Sequence, residues 1–276
     1  MLTPPEPILV VDLFPETLEA LLDLLKSLTP QEWEQPTVCA GWSVKDVALH
    51  LLGGTLANLS RRRDGHFVAV PVNGWAELVA YLNKSNEGWV RASRRLSARV
   101  LLDMLDLSGR RLNAYFASLD PHALGGAVSW AGSQPAPVWL DVAREYTECW
   151  HHQQHIRDAV GKPGLTESRY MAPVLAAFAH AMRRAYRSTA AAEGATVTLT
   201  INGESGGRWT LRRERGEWVF YAGAPDQPTA EAILDQDTAW RLFTRGIDPQ
   251  TARRHMTFRG DQALGLAVLE MVSIIA

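Results

Sequence analysis

Along the first two-thirds of the chain, apolar positions return at helical spacing. In "PETLEALLDLLKSL", Leu18, Leu21, Leu22, Leu25 and Leu28 fall on one stripe of a 3.6-residue repeat. Pro15 suits a first helical turn, and Thr29-Pro30 closes the segment. A second helix is predicted from Ser43 to about Arg63. Ser43 and Asp46 form an S-x-x-D capping pattern, and Val44, Val47, Leu51 and Leu52 make the inner face. Further helices are predicted over 73–93, 98–119, 136–160 and 168–190, separated by loops such as "GGAVSWAGSQPAP". With no strand-like alternation among them, this part reads as mainly α, a bundle of four or more helices.

Near residue 192 the period changes. "TVTLTING" alternates Val197, Leu199 and Ile201 with threonines and turns at Asn202-Gly203. "RWTLRRERGEWVFYAG" reads as a hairpin turning near Gly216. Helical segments follow over 228–245 and 261–275, the last with Leu264, Val268, Met271, Val272 and Ile275 on its apolar face. The stretch "MTFRG" between them is a short strand candidate. The pattern predicts a small α+β domain in which helices cover one side of an antiparallel sheet. Two domains are therefore expected, 1–191 and 192–276, hinged in "TAAAEGA".

Composition narrows the function classes. A hydrophobic fraction of 46% and a charged fraction of 21% over 276 residues describe a folded chain. Net charge is -2 and the pI about 6.5, so nothing global attracts nucleic acid or anionic lipid. The arginine groups "RRR" (61–63) and "RRER" (212–215) read as solvated surface. The opening "MLTPPEPILVVDLF" lacks the pattern of a secretory signal, and no apolar run nears the roughly 20 residues that span a bilayer. Two cysteines, Cys39 and Cys149, suit a reducing compartment. The expectation is a cytoplasmic protein with no nucleic-acid or membrane partner.

The densest candidate chemistry is "ECWHHQQHIRD", Glu148 to Asp158. Glu148 and His152, four apart, stack on one helix face and can converge on one ion. His155 extends that face, while His151 points about a quarter-turn away. Asp141, Glu145, Glu148, His152 and His155 also form a polar stripe opposite Val142, Tyr146, Cys149, Ile156 and Val160. A surface helix has the same pattern, so this stretch alone leaves a metal site and a solvated face both open. His50, in "DVALHLLGG", reads as a core or boundary histidine, with small neighbours at Gly54 and Ala57 that would leave space above its ring. Together His50, Glu148 and His152 offer two imidazoles and a carboxylate from two helices. Three protein ligands with one open position is the pattern of a catalytic zinc site, though the donor set suits other divalent ions too. Cys39, beside a helix start with no histidine near it in sequence, reads as a buried structural thiol.

The stretch "WEQPTVCAGWSVKDVALHLLGG" resembles the opening signature of the mycothiol-dependent maleylpyruvate isomerase family. "REYTECWHHQQHIRDAVG" is similar to that family's second signature, and "DQDTAWRLFTRG" with "ALGLAVLEMVSIIA" to its tail. The resemblance implies a DinB-like four-helix bundle followed by a small sterol-carrier-like α+β domain. It implies a divalent metal, zinc by family habit, on His50, Glu148 and His152. It also implies a low-molecular-weight thiol cofactor: mycothiol, or bacillithiol or glutathione where mycothiol is lacking. The activity implied is cis–trans isomerisation or S-transfer on a small electrophilic substrate. An arginine of the second domain would hold the substrate carboxylate, and Arg241 and Arg245 are the nearest matches. This chain reads Arg245-Gly246 where the family has Gly-Arg. Two other readings compete: a non-catalytic binder of a metal or an apolar ligand, and a thiol-independent metallohydrolase using Asp46 or Glu145 as general base.

Overall fold

The computed structural model describes residues 1–68, 73–132 and 134–274. Ile275, expected on the last apolar face, lies outside them. Residue contacts divide the chain into two compact units, each gathered from separate segments. A helical unit takes Val10–Asp120 and Glu148–Gly164, and a sheet unit takes Met1–Leu9, Pro121–Thr147 and Leu165–Ile274. The expected division at 191/192 is drawn differently: residues 121–147 and 165–191 cluster with the sheet.

The helical unit holds α1 (Leu13–Lys26), α2 (Pro30–Trp33), α3 (Val44–Asn58), α4 (Trp75–Ser93), α5 (Ala98–Ala117) and, from Glu148 on, α6 (Val138–Val160). The leucine stripe of α1 is inside as its spacing predicts. Leu21, Leu22 and Leu25 join Val47, Leu49 and Leu52 of α3, Leu101 and Leu105 of α5 and Ile156 of α6 in one core. Four helices thus share an apolar centre, which is the bundle. Helix α3 begins with the predicted capping box: Ser43 accepts from the Asp46 amide, and Asp46 accepts from the Ser43 amide. It stops at Asn58, and Leu59–Arg63 continues as one π-helical turn. Gly53 is required by close packing. A Cβ there would lie 2.6 Å from the Trp89 indole, whose Nε1 donates to the Leu49 carbonyl at 2.8 Å.

In the sheet unit, β1 (Leu124–Ala127) and β2 (Pro135–Pro137) form a small antiparallel pair that the sequence pattern did not predict. The expected helix 168–190 is two, α7 (Ser168–Ala179) and α8 (Met182–Ala185). The main sheet runs β5 (Glu217–Ala222), β4 (Gly207–Glu214), β3 (Thr196–Asn202), β6 (Ala230–Asp235), β7 (Thr257–Gly260). It is mixed rather than wholly antiparallel. After two hairpins the chain crosses back, so β6 lies parallel to the far edge of β3. Of the threonines that alternate with the apolar residues of β3, Thr196 and Thr198 are buried, and Thr198 and Thr210 share a hydroxyl hydrogen bond of 2.9 Å.

The predicted helix 228–245 also needs correction. "AEAILD" is β6, and α9 (Gln236–Phe243) begins only after Asp235, whose carboxylate accepts from the Asp237 and Thr238 amides. Ala, Glu and Leu favour a helix locally. The position beside β3 overrides that preference. After α10 (Pro249–Arg253), α11 (Gln262–Leu266) ends far short of the predicted 261–275. A 3₁₀ turn follows, and then an extended tail pinned by Ser273, which donates to the carbonyls of Phe243 and Phe178. Among the described residues, no helix is long and apolar enough to cross a membrane.

His180, at the end of α7, is 5% exposed and packs on Phe220 and Trp139, with ring centroids 4.5 and 5.8 Å away. Burial, with the Arg183 charge adding to it, lowers its pKa to about 3. The unfolded chain takes that proton near pH 6.5, so folding excludes it between those limits. This contribution to stability is complete above about pH 6.5 and declines as pH falls toward 3. His180→Phe is expected to lessen the slope of Tm against pH in that window. The change amounts to at most ~1.4 kcal/mol per pH unit, read by thermal unfolding of both chains.

Candidate metal centre

The question left open by the histidine-rich stretch is answered by burial. His151, Gln153, Gln154 and His155 of α6 are 1–4% exposed and His152 is 9% exposed. That face is not solvated. The Gln153 amide donates to the Thr17 carbonyl and accepts from Arg157.

The segment before α3 is built to meet this face. In "PTVCAGWS", the Thr37 amide and hydroxyl both donate to the Trp42 carbonyl, at 3.0 and 2.9 Å. The Cys39 amide donates to the Thr37 hydroxyl, and the Trp42 amide to the Cys39 carbonyl. Gly41 closes the turn with φ of 78°, a conformation that favours glycine. The loop runs directly into the Ser43/Asp46 cap, so the first turn of α3 is fixed from both sides. Trp42 then lies over His50, ring centroids 5.1 Å apart, with its Nε1 donating to Glu87 of α4.

His50, Glu148 and His152 come together. One ligand atom from each lies within 4.8 Å of the other two. His152 Nε2 is 3.7 Å from Glu148 Oε2, and the His50 and His152 ring centroids are 4.7 Å apart. Two ligands of a tetrahedral zinc with bonds of about 2.1 Å stand roughly 3.4 Å apart, so only a small contraction separates this trio from coordination. Gly54, one turn beyond His50, is exposed, and a Cβ on it would meet nothing within 4 Å.

The electrostatics favour ligands over acids. Burial lowers the His50 pKa; the Glu148 carboxylate opposes this and His151 adds to it. Burial also holds His152 far below the usual histidine range, with His151, His50 and His155 contributing by repulsion. Both rings are therefore neutral at pH 7, the form that offers a lone pair. His152 Nδ1 is buried with no hydrogen-bond partner. A polar atom left so costs about 1–3 kcal/mol, and an ion near the cluster would offset the burial of its polar neighbours. The residues present fit a divalent cation.

The other sequence candidates fare differently. Asp46 caps α3 and receives a bidentate pair from Arg94, both contacts at 2.9 Å, so it is occupied as a structural anion. Glu145 is paired with Arg144. Arg241 and Arg245 belong to the sheet unit. Asp237 and the face of Trp240 hold the Arg241 guanidinium. Arg245 takes φ of 59° just past the end of α9, the helix-stop position where glycine is usual. Neither Cys39 nor Cys149 is in a disulfide. Sequence spacing did not reveal that Cys39 Sγ lies 3.4 Å from His155 Nδ1, because 116 residues separate them. Burial pushes the Cys39 thiol up; a Thr37 hydrogen bond opposes this and the Glu148 carboxylate adds to it. Cys39 is thus a poor nucleophile by itself.

Against known proteins, residues 14–157 match the family model described as the mycothiol maleylpyruvate isomerase N-terminal domain. His50, Glu148 and His152 all lie inside that segment. No curated protein sequence matches the chain. Among solved structures it is similar to a crystal structure of the mycothiol-dependent maleylpyruvate isomerase, with 15% identity, TM-score 0.55 and 90% of each chain covered. It is similar also to a histidine-to-alanine variant of that enzyme, with 15% identity, TM-score 0.53 and the same coverage. At this identity the structural likeness speaks for the fold alone. The chain belongs to the mycothiol maleylpyruvate isomerase N-terminal domain family. That family is one of thiol-dependent isomerases, which places the chain among enzymes.

Partial burial opposes ionisation of Asp46, and the Arg94 guanidinium and Ser43 outweigh it, holding the carboxyl below the usual range. Its stabilising contribution exists above the unfolded carboxylate value near pH 3.9 and disappears as pH falls through the lower folded value. In Arg94→Met, the loss of Tm is expected to be largest near neutral pH and to shrink toward zero under strongly acid conditions. Parallel thermal melts across pH check this.

Proposed function

We propose that this chain is a thiol-dependent isomerase working at a divalent-cation centre held by His50, Glu148 and His152. The observation that carries the reading is the meeting of these three donors, from α3 and α6, within 4.8 Å of one another in one compact unit. His50, Glu148 and His152 would hold the divalent ion, which would favour the thiolate form of a low-molecular-weight thiol as nucleophile for cis–trans isomerisation of a small conjugated electrophile.

The chain's own part is to bind, orient and keep water out. His50 and His152 offer neutral imidazole nitrogens and add no charge. Glu148 contributes one negative charge, so the trio would leave a bound divalent ion with a net positive charge. Trp42 packs on His50 and limits rotation of its ring. The buried rings of His151 and His155 stand beside His152, with centroids 4.1 and 5.4 Å away, and keep water from that side. Neither Asp46 nor Glu145 is placed as a general base for a thiol-independent hydrolase, because each has an arginine partner. Since burial keeps the Cys39 thiol from being activated, an external thiol agrees with the site.

The purified wild type is expected to carry about one divalent ion per chain by elemental analysis. Mycothiol should raise its Tm only when that ion is present, with bacillithiol and glutathione as the comparison thiols. His50→Ala is expected to lose this thiol-induced shift and at least about 100-fold of the thiol-dependent isomerase rate, as removal of a ligand weakens a site more than removal of an outer partner. A wild type without bound ion, or a His50→Ala chain stabilised by thiol as strongly as wild type, would overturn the reading.

A further inference from the structure

Beside the trio lies a second group. Cys39, His152 and His155 also bring one ligand atom each within 4.8 Å of one another. Cys39 Sγ is 3.4 Å from His155 Nδ1, and the His152 and His155 ring centroids are 5.4 Å apart. His152 is common to both groups and has two ring nitrogens. Nε2 is the one beside Glu148, at 3.7 Å, while Nδ1 is buried with no hydrogen-bond partner.

We propose that Cys39, His152 and His155 form a second cation position, softer than the first and in competition with it for His152. This rests on the reading of the first trio as a cation centre only for the competition. One sulfur and two imidazoles favour soft or borderline ions such as Zn(II), Co(II) or Cu(I) more than a set containing a carboxylate does. A neutral imidazole has one lone pair, so His152 serves one ion at a time and the total stays near one per chain. When an ion enters this position, a sulfur–metal bond forms and the Cys39 S–H proton leaves to solvent. No electrons are transferred. The ion thus has a resting place on the protein's own thiol, two residues beyond Thr37 on the loop that also positions Trp42.

Cobalt(II) added to the metal-free full-length chain tests this without reference to activity, because thiolate ligation gives a sulfur-to-cobalt charge-transfer band in the near ultraviolet. In His50→Ala, which leaves only the second position, the band is expected to appear. Adding Cys39→Ser to that chain should abolish it, and adding Cys149→Ser should leave it intact. Circular dichroism verifies that each variant is folded. Cobalt bound by His50→Ala without the band, a band that survives Cys39→Ser, or no cobalt bound by His50→Ala would overturn the second position. The first centre is judged separately, by whether wild type binds an ion and loses its thiol response in His50→Ala.

Discussion

A face of imidazoles and amides held away from water is the constraint on which the helical unit turns. Residues 151–155 of α6 include no aliphatic side chain, yet all five are buried. Polar groups are tolerated inside only when they are paired or neutralised. Here Gln153 reaches the α1 backbone, Cys39 reaches His155, and the rings of His50 and His152 give up their charge. An ordinary core would use leucines there. Buried histidines at such cost mark this turn of α6 as a candidate site rather than ordinary core.

The short loop before α3 shows how much local chemistry converges on His50. Thr37 ties the loop's two ends together, Gly41 permits the turn, Ser43 and Asp46 cap the helix, and Arg94 fixes Asp46. Each contact is ordinary. Their common result is that α3 starts at a defined place and angle, and His50 lies on its second turn beneath Trp42.

Much of this was legible in the sequence because it is local. The α1 leucine stripe, the S-x-x-D cap and the four-residue step from Glu148 to His152 are all set by helical geometry. What was not legible depends on distant partners. The side-chain amide of Gln153 finds its acceptor only when α1 is in place, at the Thr17 carbonyl. Residues 230–235 carry helix-forming side chains and become a strand only because β3 offers an open edge. Cys39 and His155 have no pattern connecting them, and a thiol far from any histidine in sequence was read as structural. The tail beyond Leu266 has an amphipathic pattern, but Ser273 anchors it in extended form.

The antiparallel bridge between Thr3 and Ala222 bears on how the chain assembles during synthesis. Translation proceeds from the amino end, and domains fold as their parts emerge. The segments Val10–Asp120 and Glu148–Gly164 are both made before any strand of the five-stranded sheet, so the imidazole cluster can close early. Thr3 must wait. Its partner Ala222, at the end of β5, is made more than two hundred residues later, and until then that segment has no strand to pair with.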